Sequence, residues 1–288
     1  MSVVTADWLK EQFIIKQSDV VVLDVTWYSA KDAFQDFLLK HIPGAQKFDI
    51  MKDVQNTELF PRNVPDPESF QCQAKQVGVN NGSHVVVYDN TPFCGYFVGS
   101  RAWWLFKLHG HDKVSILDGG IKSWEQGGYP VSTHIEYPMP GNFDVKMNLS
   151  LKKSHSDMVD NLSTRCYQVC DTRAYADFCG SPNDPWTGHY PGAVSMNLAT
   201  TLIDKDNNRL HRVEKLCQIF KEHNVDLNKP IVGMCKSGMS SCTAAFVARL
   251  CGATDVAVYL GGYREWIAKA QTGFLEQISD EINCNSII

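Results

Sequence analysis

The chain contains the stretch Pro230-Ile-Val-Gly-Met-Cys235-Lys-Ser-Gly-Met-Ser-Ser-Cys-Thr-Ala-Ala-Phe-Val-Ala-Arg-Leu250. Its apolar start predicts a short buried strand, and residues 240–251 predict a helix. The residues between them predict a tight loop around Gly238. A thiol at such a strand end faces the positive end of the helix and the N–H groups of the loop, and both favour thiolate over thiol. Cys235 is therefore the candidate nucleophile.

Four landmarks occur twice in the chain, in the same order and at nearly the same intervals. The first set is Val20–Asp24, His41–Ala45, Val85–Asp89 and Leu117–Trp124, and the second is Gln168–Asp171, His189–Ala193, Ile231–Cys235 and Leu260–Trp266. His41 follows Asp24 by 17 residues, and His189 follows Asp171 by 18. This self-similarity predicts tandem copies of one domain, at residues 1–138 and 139–288. The Pro/Gly-marked stretch Tyr137–Asn142 is the predicted linker.

Within each copy, short Val/Ile-rich segments alternate with segments of helical character. Helices are predicted at residues 5–13, 99–108, 151–162 and 240–251. This alternation predicts an α/β protein of two tandem domains, each a mainly parallel sheet flanked by helices. In such sheets, ligands bind beyond the carboxyl ends of the strands.

The bulk composition narrows the class of function. The chain has 288 residues, of which 44% are hydrophobic, and a net charge of -5. This fits a globular protein and gives no reason to expect a nucleic acid or an anionic membrane as partner. No apolar run approaches the roughly 20 residues that span a bilayer.

The ten cysteines and the N-terminus bear on the compartment. The cysteines are scattered and predict reduced thiols, and Cys166 with Cys170 lacks the second pair that a zinc site needs. The N-terminus resembles neither a secretory signal nor a basic transit peptide, which predicts a cytoplasmic location, with the mitochondrion as the alternative.

The two copies differ at the nucleophile position. The strand end that carries Cys235 in the second copy carries Asp89 in the first. Cys94 lies five residues after Asp89 and is a less suitable nucleophile, because it is not at the strand end. The second copy is therefore predicted to be catalytic and the first non-catalytic.

Several recurring polar and aromatic residues are predicted to be structural. Asp24 and Asp171 end their strands, and His41 and His189 precede Pro-Gly, where hydrogen bonds to the backbone would fix a turn. The recurring tryptophans are predicted to pack in the core; they are Trp103, Trp104, Trp124 and Trp266.

These landmarks resemble those of the rhodanese family, in the tandem arrangement of its thiosulfate and 3-mercaptopyruvate sulfurtransferases. The His-x-Pro-Gly-Ala elements, the cysteine loop and Leu260–Trp266 carry the resemblance, and Arg101–Gly110 is similar to the first domain of that group. The resemblance implies that Cys235 takes sulfur from a small anionic donor as a persulfide. A second thiol, on a low-molecular-weight compound or a thioredoxin-like protein, or cyanide then accepts it. This chemistry requires no metal and no organic cofactor.

The loop after the cysteine bears on the donor. Thiosulfate enzymes of the family show Cys-Arg-Lys-Gly, and mercaptopyruvate enzymes show Cys-Gly-Ser-Gly. This chain has a hybrid loop of Cys235, Lys236, Ser237, Gly238, Met239 and Ser240. Ser237 favours 3-mercaptopyruvate and Lys236 keeps thiosulfate as a close second. The loop N–H groups are expected to cradle the anionic sulfur.

Other residues of the family pattern are partly present. Arg173 matches an arginine that grips the donor's anionic end, and a structural ion pair with a nearby acid is the alternative role. The second anchoring arginine of the family is replaced by Cys179. The family's first-domain relay residues correspond to Arg62 and to Met51 or Asp53, so the Ser-His-Asp relay is lost. Arg62 could supply the missing anchoring charge.

The sequence also bears on two functions other than sulfur transfer. Cysteine phosphatases of related fold need Cys-x5-Arg, and the sixth residue after the cysteine here is Ser241, so a phosphatase is disfavoured. A persulfide carrier or scaffold without turnover is the alternative that the hybrid loop leaves open.

Overall fold

A computed structural model describes residues 2–15, 19–91, 95–184, 186–204 and 209–269. The chain divides into two compact units. The first comprises Met1–Asn56, Arg62–Leu151 and Ile203–His211, and the second comprises Thr57–Pro61, Lys152–Leu202 and Arg212–Ile288. Cys94, the weaker cysteine candidate, lies outside the described residues.

The first unit is built on a five-stranded parallel sheet with the order β1-β5-β4-β2-β3. Its strands are β1 (Val3–Val4), β2 (Val20–Asp24), β3 (Gln46–Lys47), β4 (His84–Tyr88) and β5 (Val114–Leu117). Its helices are α1 (Ala6–Ile15), α2 (Ala33–Leu39), α3 (Pro67–Gln76), α4 (Phe97–Leu108) and α5 (Gly120–Gln126), and a 3-10 turn follows at Leu149–Leu151.

The second unit repeats this topology. Its sheet has five parallel strands in the order β6-β12-β11-β7-β8. The strands of the second half of the chain are β6 (Lys152–Lys153), β7 (Gln168–Asp171), β8 (Val194–Ser195), β9 (Ile203–Asp204), β10 (Arg209–Leu210), β11 (Ile231–Met234) and β12 (Val256–Tyr259). Its helices are α6 (His155–Thr164), α7 (Tyr175–Cys179), α8 (Val213–Glu222), α9 (Ser241–Leu250) and α10 (Gly262–Lys269), with a π-helical turn at Leu198–Leu202. The short antiparallel pair β9–β10 belongs to the first unit.

Corresponding strands of the two units occupy the same positions in their sheets. This confirms the predicted α/β class and the duplication. All four predicted helices are present, as α1, α4, α6 and α9. Helix α6 begins at His155, later than the predicted residue 151, because Ser154 forms a capping box with Asp157 and the two lysines before it pair in β6.

The cores are apolar layers on the sheets. The three valines of β4 have no exposed surface, and the four recurring tryptophans are all buried, at most 3% exposed, which confirms their predicted packing role. None of the described helices combines the length and the apolar composition that a membrane span requires.

The stretch that follows the first five strands runs along the first unit. Gly141 donates its N–H to the carbonyl of Lys75, and Asn148 donates to Leu108. These backbone hydrogen bonds fix the end of the first unit before β6 begins.

Strand register places the two copies' nucleophile positions at the same point of their sheets. Asp24 lies opposite Tyr88 in one sheet, and Asp171 lies opposite Met234 in the other. The residues that follow Tyr88 and Met234 are Asp89 and Cys235. The aspartate and the cysteine are therefore structural equivalents.

A glycine at the start of the last helix of each unit allows a close approach to this strand end. Gly120 has φ +57, and a Cβ on it would lie 2.3 Å from the carbonyl oxygen of Asp89. Gly262 has φ +59, and a Cβ on it would lie 2.3 Å from the carbonyl oxygen of Cys235. Both the backbone conformation and the contact exclude a side chain.

Alanine substitutions can separate the two reasons for glycine. Gly44 also has a positive φ, +76, but a Cβ there would meet no atom within 4 Å. We expect Gly44→Ala to lower the free energy of unfolding by roughly 1–2 kcal/mol through backbone strain. Gly120→Ala adds the overlap with Asp89 and should cost at least about 1 kcal/mol more. Urea unfolding of both variants measures the difference, and equal losses would contradict the close approach as a constraint.

Candidate active site

Cys235 lies directly after β11, which pairs with β7 on one side and β12 on the other. Its side chain is 3% exposed. The backbone N–H of Gly238 donates to Sγ over 3.1 Å, and Sγ contacts the hydroxyl oxygen of Ser241 at 3.5 Å. Ser241 is also the first residue of α9. The sulfur thus lies at a helix N-terminus and against a loop N–H group, both of which stabilise negative charge.

Gly238 makes the tight loop possible. Its φ is +86, and a Cβ on it would lie 2.7 Å from the carbonyl oxygen of Leu260. Around it, Ser237 and Met239 are buried, whereas Lys236 is exposed. The loop therefore folds back onto the end of β12 and presents a cation to solvent.

The other end of the loop is tied to β7. Thr172 follows that strand, and its N–H donates to the carbonyl of Met234 over 2.9 Å. Its hydroxyl donates to Oγ of Ser240 over 2.9 Å. Thr172 could not be identified from the sequence, because its partner in the loop lies 68 positions further along the chain.

Helix α10 holds the carbonyl groups of the loop. The N–H of Tyr263 donates to the carbonyl of Cys235 over 2.7 Å, and the N–H of Arg264 donates to the carbonyl of Lys236 over 3.2 Å. These oxygens are occupied on the side of α10, while the N–H of Gly238 is directed at the sulfur. This explains why the Gly-Gly-x-x-Glu-Trp landmark accompanies the cysteine loop.

Arg173 is buried in an ion pair with Asp171. Nε donates to both carboxylate oxygens over 3.0 Å, and Nη2 donates to Oδ2 over 2.6 Å and to the carbonyl of Gly188 over 2.6 Å. The guanidinium carbon lies 4.0 Å from the ring centre of Tyr263. Of the two roles that the sequence left open, these contacts support the structural ion pair, since Nε and Nη2 are already bound. The donor-anchoring role of Arg173 stays a prediction.

Tyr263 connects the cysteine loop to the segment that Arg173 holds. Its hydroxyl donates to the carbonyl of Thr187 over 3.0 Å. Burial raises the pKa of Tyr263 to about 12, with the nearby Arg173 acting in the opposite direction. The phenol is therefore protonated at neutral pH and available as a donor.

Arg264 is a cation beside the loop that sequence reasoning missed. It is partly buried, Nε donates to the carbonyl of Glu58 over 2.6 Å, and the guanidinium carbon lies 5.8 Å from the ring centre of Trp186. Its place in the last landmark, directly after the residue that holds Cys235, was the signal that could have identified it.

Arg62, Met51 and Asp53 belong to the first unit. The guanidinium carbon of Arg62 lies 5.7 Å from the ring centre of Trp27, and its carbonyl accepts a hydrogen bond from Arg101. Asp53 has a positive φ of 53°. The proposed anchoring role of Arg62 stays a prediction.

In the first unit, a carboxylate takes the place of the thiol. Oδ1 of Asp89 accepts from the N–H and the hydroxyl of Thr91, and Oδ2 accepts from the N–H groups of Val98 and Gly99 over 3.0 and 2.9 Å. Burial raises the pKa of Asp89, and these four donors act in the opposite direction. The N-terminal N–H groups of α4 are thus bound by the chain's own acid, which supports the predicted non-catalytic role of the first copy.

The predicted structural aspartates and histidines make the expected contacts with the backbone. Asp24 accepts from the N–H of Thr26, and Asp171 accepts from the N–H of Arg173. Nδ1 of His41 lies 2.7 Å from the carbonyl of Phe37, and Nδ1 of His189 lies 2.9 Å from that of Phe178. These four side chains therefore fix the local turns.

Comparison with known proteins agrees with this geometry. The sequence matches the rhodanese-like domain twice, over residues 5–127 and 154–269. It is 36% identical to the thiosulfate sulfurtransferase of Gallus gallus over 275 residues, which cover 93% of this chain and 94% of that protein. It is 35% identical to the 3-mercaptopyruvate sulfurtransferase of Mus musculus over 277 residues, which cover 94% of this chain and 93% of that protein.

A solved structure shows the same fold. SseA of Escherichia coli, a 3-mercaptopyruvate sulfotransferase with the rhodanese fold, superposes with a TM-score of 0.79 at 28% sequence identity. The superposition covers 91% of this chain and 99% of SseA. With both copies matched and relatives above 30% identity over most of the chain, this protein belongs to the rhodanese family, as a sulfurtransferase with two rhodanese-like domains.

Proposed function

We propose that Cys235 moves a sulfane sulfur from a small anionic donor, through a persulfide, to a thiol or to cyanide. The observation that carries this proposal is the N–H of Gly238 at 3.1 Å from Sγ, in a loop whose carbonyls are bound by α10. Such a donor stabilises negative charge on the attacking sulfur and, after transfer, on the terminal sulfur of the persulfide.

The reaction proceeds in two covalent steps. The thiolate of Cys235 attacks the donor sulfur, and a new S–S bond forms. With thiosulfate, the original S–S bond breaks and sulfite leaves with the electron pair. With 3-mercaptopyruvate, the C–S bond breaks and the carbon takes a proton, which gives pyruvate. An acceptor thiolate or cyanide then attacks the outer sulfur and regenerates the Cys235 thiolate.

We favour 3-mercaptopyruvate as donor, with thiosulfate second. Ser237 matches the mercaptopyruvate pattern, and the exposed Lys236 is one cation where thiosulfate enzymes of the family carry two. The names of the relatives divide between these two donors. As acceptor we propose a low-molecular-weight thiol or a thioredoxin-like protein.

Two cations beside the loop suit an anionic donor. Lys236 is exposed, and Arg264 is partly buried, with its backbone bound to the carbonyl of Lys236. We propose that their positive potential raises the local concentration of the donor. The phosphatase alternative has no comparable support, because Ser241, at the position of the phosphatase arginine, contacts Sγ through its hydroxyl.

Intact-mass measurement tests the persulfide. Incubation with either donor should add about 32 Da to the wild type and nothing to Cys235→Ser, since only a thiolate nucleophile can retain the sulfur. Cys242→Ser is the matched control and should behave as the wild type, because that thiol is buried and donates to the carbonyl of Gly238. Absence of the mass gain in the wild type would refute the proposal.

Product release distinguishes an enzyme from a carrier. With an added thiol, pyruvate or sulfite should form over many turnovers. A single equivalent of product per protein molecule would instead favour the persulfide carrier without turnover. Running both donors in parallel ranks them by kcat/KM.

Variants of Arg264 test whether its positive charge contributes to donor affinity. Arg264→Gln keeps an amide donor for the carbonyl of Glu58 and removes the charge, and it should raise the donor KM by about fivefold with little change in kcat. Arg264→Lys keeps the charge and should restore most of the affinity. Equal KM values in the two variants would show that the charge of Arg264 does not contribute to donor affinity.

Arg62→Ala tests the second anchoring charge. If this guanidinium binds the donor's anionic end, the donor KM should rise by about tenfold while thermal stability stays near that of the wild type. A donor KM within about twofold of the wild-type value would overturn this role.

A further inference from the structure

Ser241 places a hydroxyl group against the sulfur of Cys235. The thiol of Cys235 donates to Oγ of Ser241 over 3.5 Å. Ser241 has no exposed surface, and Cys235 is 3% exposed, so this hydrogen bond is largely shielded from water. A hydroxyl group can accept from a thiol and donate to a thiolate, whereas the backbone N–H of Gly238 can only donate. Ser241 can therefore bond to the sulfur in both of its protonation states.

A glycine in β11 allows the first turn of α9 to lie close to the strand. A Cβ on Gly233 would lie 2.3 Å from the carbonyl oxygen of Ser241 and 3.5 Å from the Cβ of Ala244. Gly233 lies opposite Cys170 of β7 and Val258 of β12, and its φ is not positive. This position therefore requires glycine for space and not for backbone conformation. A side chain there would push Ser241 away from the strand end.

The serine that precedes Ser241 is bound elsewhere. Oγ of Ser240 accepts from the hydroxyl of Thr172 over 2.9 Å, a bond that ties the loop to the end of β7. Ser240 thus helps to hold the loop in place, whereas Ser241 bonds to the sulfur itself. The two adjacent hydroxyl groups have different partners and can be tested separately.

We propose that Ser241 is a catalytic residue whose hydroxyl group stabilises the thiolate of Cys235. This role rests on the function proposed above. In the thiol form, Ser241 accepts the S–H hydrogen bond; once the proton is lost, its hydroxyl turns and donates to Sγ. Together with the N–H of Gly238, it gives the thiolate two donors in a buried site, where hydrogen bonds to a charged group are strong.

The same hydroxyl group acts in both steps of the transfer. In the first step Sγ of Cys235 is the nucleophile, and the bond from Ser241 raises the fraction that is present as thiolate. In the second step the acceptor attacks the outer sulfur, the S–S bond breaks and its electron pair returns to Sγ, where Ser241 donates again. Ser241 remains a neutral serine throughout and exchanges no proton with donor or acceptor.

The pH dependence of Cys235 alkylation tests this role without a sulfur donor. Trypsin leaves Cys235 in the peptide 222–236, which has no other cysteine, because it cleaves after the flanking lysines but not before Pro230. Alkylation by iodoacetamide, measured on this peptide in the full-length protein, should increase with pH as the thiolate forms. In Ser241→Ala it should reach half its maximal rate at a pH about one unit higher than in the wild type, because a donor to the thiolate is lost.

Sulfur transfer should change in the same direction. At neutral pH, Ser241→Ala should form the persulfide about tenfold more slowly, since one unit of pH corresponds to about tenfold less thiolate. Ser241→Thr keeps a hydroxyl group and should stay within about threefold of the wild-type rate. Ser100→Ala is the matched control, because it removes a buried hydroxyl group from α4 of the first unit, and its alkylation profile and transfer rate should equal those of the wild type.

The alkylation profile decides between a catalytic and a merely structural role. If the profile of Ser241→Ala coincides with that of the wild type, Ser241 does not stabilise the thiolate, and the proposal is wrong even where the transfer rate falls. Failure of the proposed function has a different sign. The wild type would then gain no sulfur from either donor, whatever its alkylation profile, and Ser241 would have no catalytic role.

Discussion

The close approach of α10 to the end of β11 is the constraint on which the rest of the site depends. Gly262 has no side chain where one would overlap the carbonyl oxygen of Cys235, and the N–H of the next residue donates to that same oxygen. Because the first two carbonyls of the loop are bound there, the loop can direct an N–H group to the sulfur. The glycine in the middle of the loop meets the end of β12 in a similar way. The strand ends, the loop and the helix therefore pack as one arrangement, which is held mainly by contacts and hydrogen bonds between backbone atoms.

The first unit shows what this arrangement does without a thiol. The equivalent glycine lies against the carbonyl of Asp89, and the N–H groups at the start of α4 bind the Asp89 carboxylate. The aspartate that ends the neighbouring strand has a different cationic partner in each unit. Asp24 is paired with Lys47 from β3, whereas Asp171 is paired with Arg173 from its own loop. Both units thus direct N–H groups to the same strand end, where the first unit has the carboxyl group of Asp89 and the second has the thiol of Cys235.

The sequence was sufficient for the features that depend on local pattern and repetition. The strand ends, the four helices and the equivalence of Asp89 with Cys235 all follow from apolar runs and from spacing, which the sheet register then reproduces. The side chains with distant partners could not be foreseen. Arg264 bonds to a carbonyl 206 positions away, and Arg173 bonds to the carbonyl of Gly188, 15 positions away. Motif matching gives a residue's place in the chain, whereas its role depends on which of its atoms are already bound.

The burial of the Cys235 sulfur has a consequence for timing. A side chain that is 3% exposed offers little surface to water or to small oxidants in bulk solution. On the proposed mechanism, the outer sulfur of the persulfide would form in the same buried environment. Its loss by reaction with small molecules in bulk solution would therefore be slow. On that mechanism, the arrival of an acceptor at the loop would set the interval between the two transfer steps, and Cys235 would retain the sulfur until then.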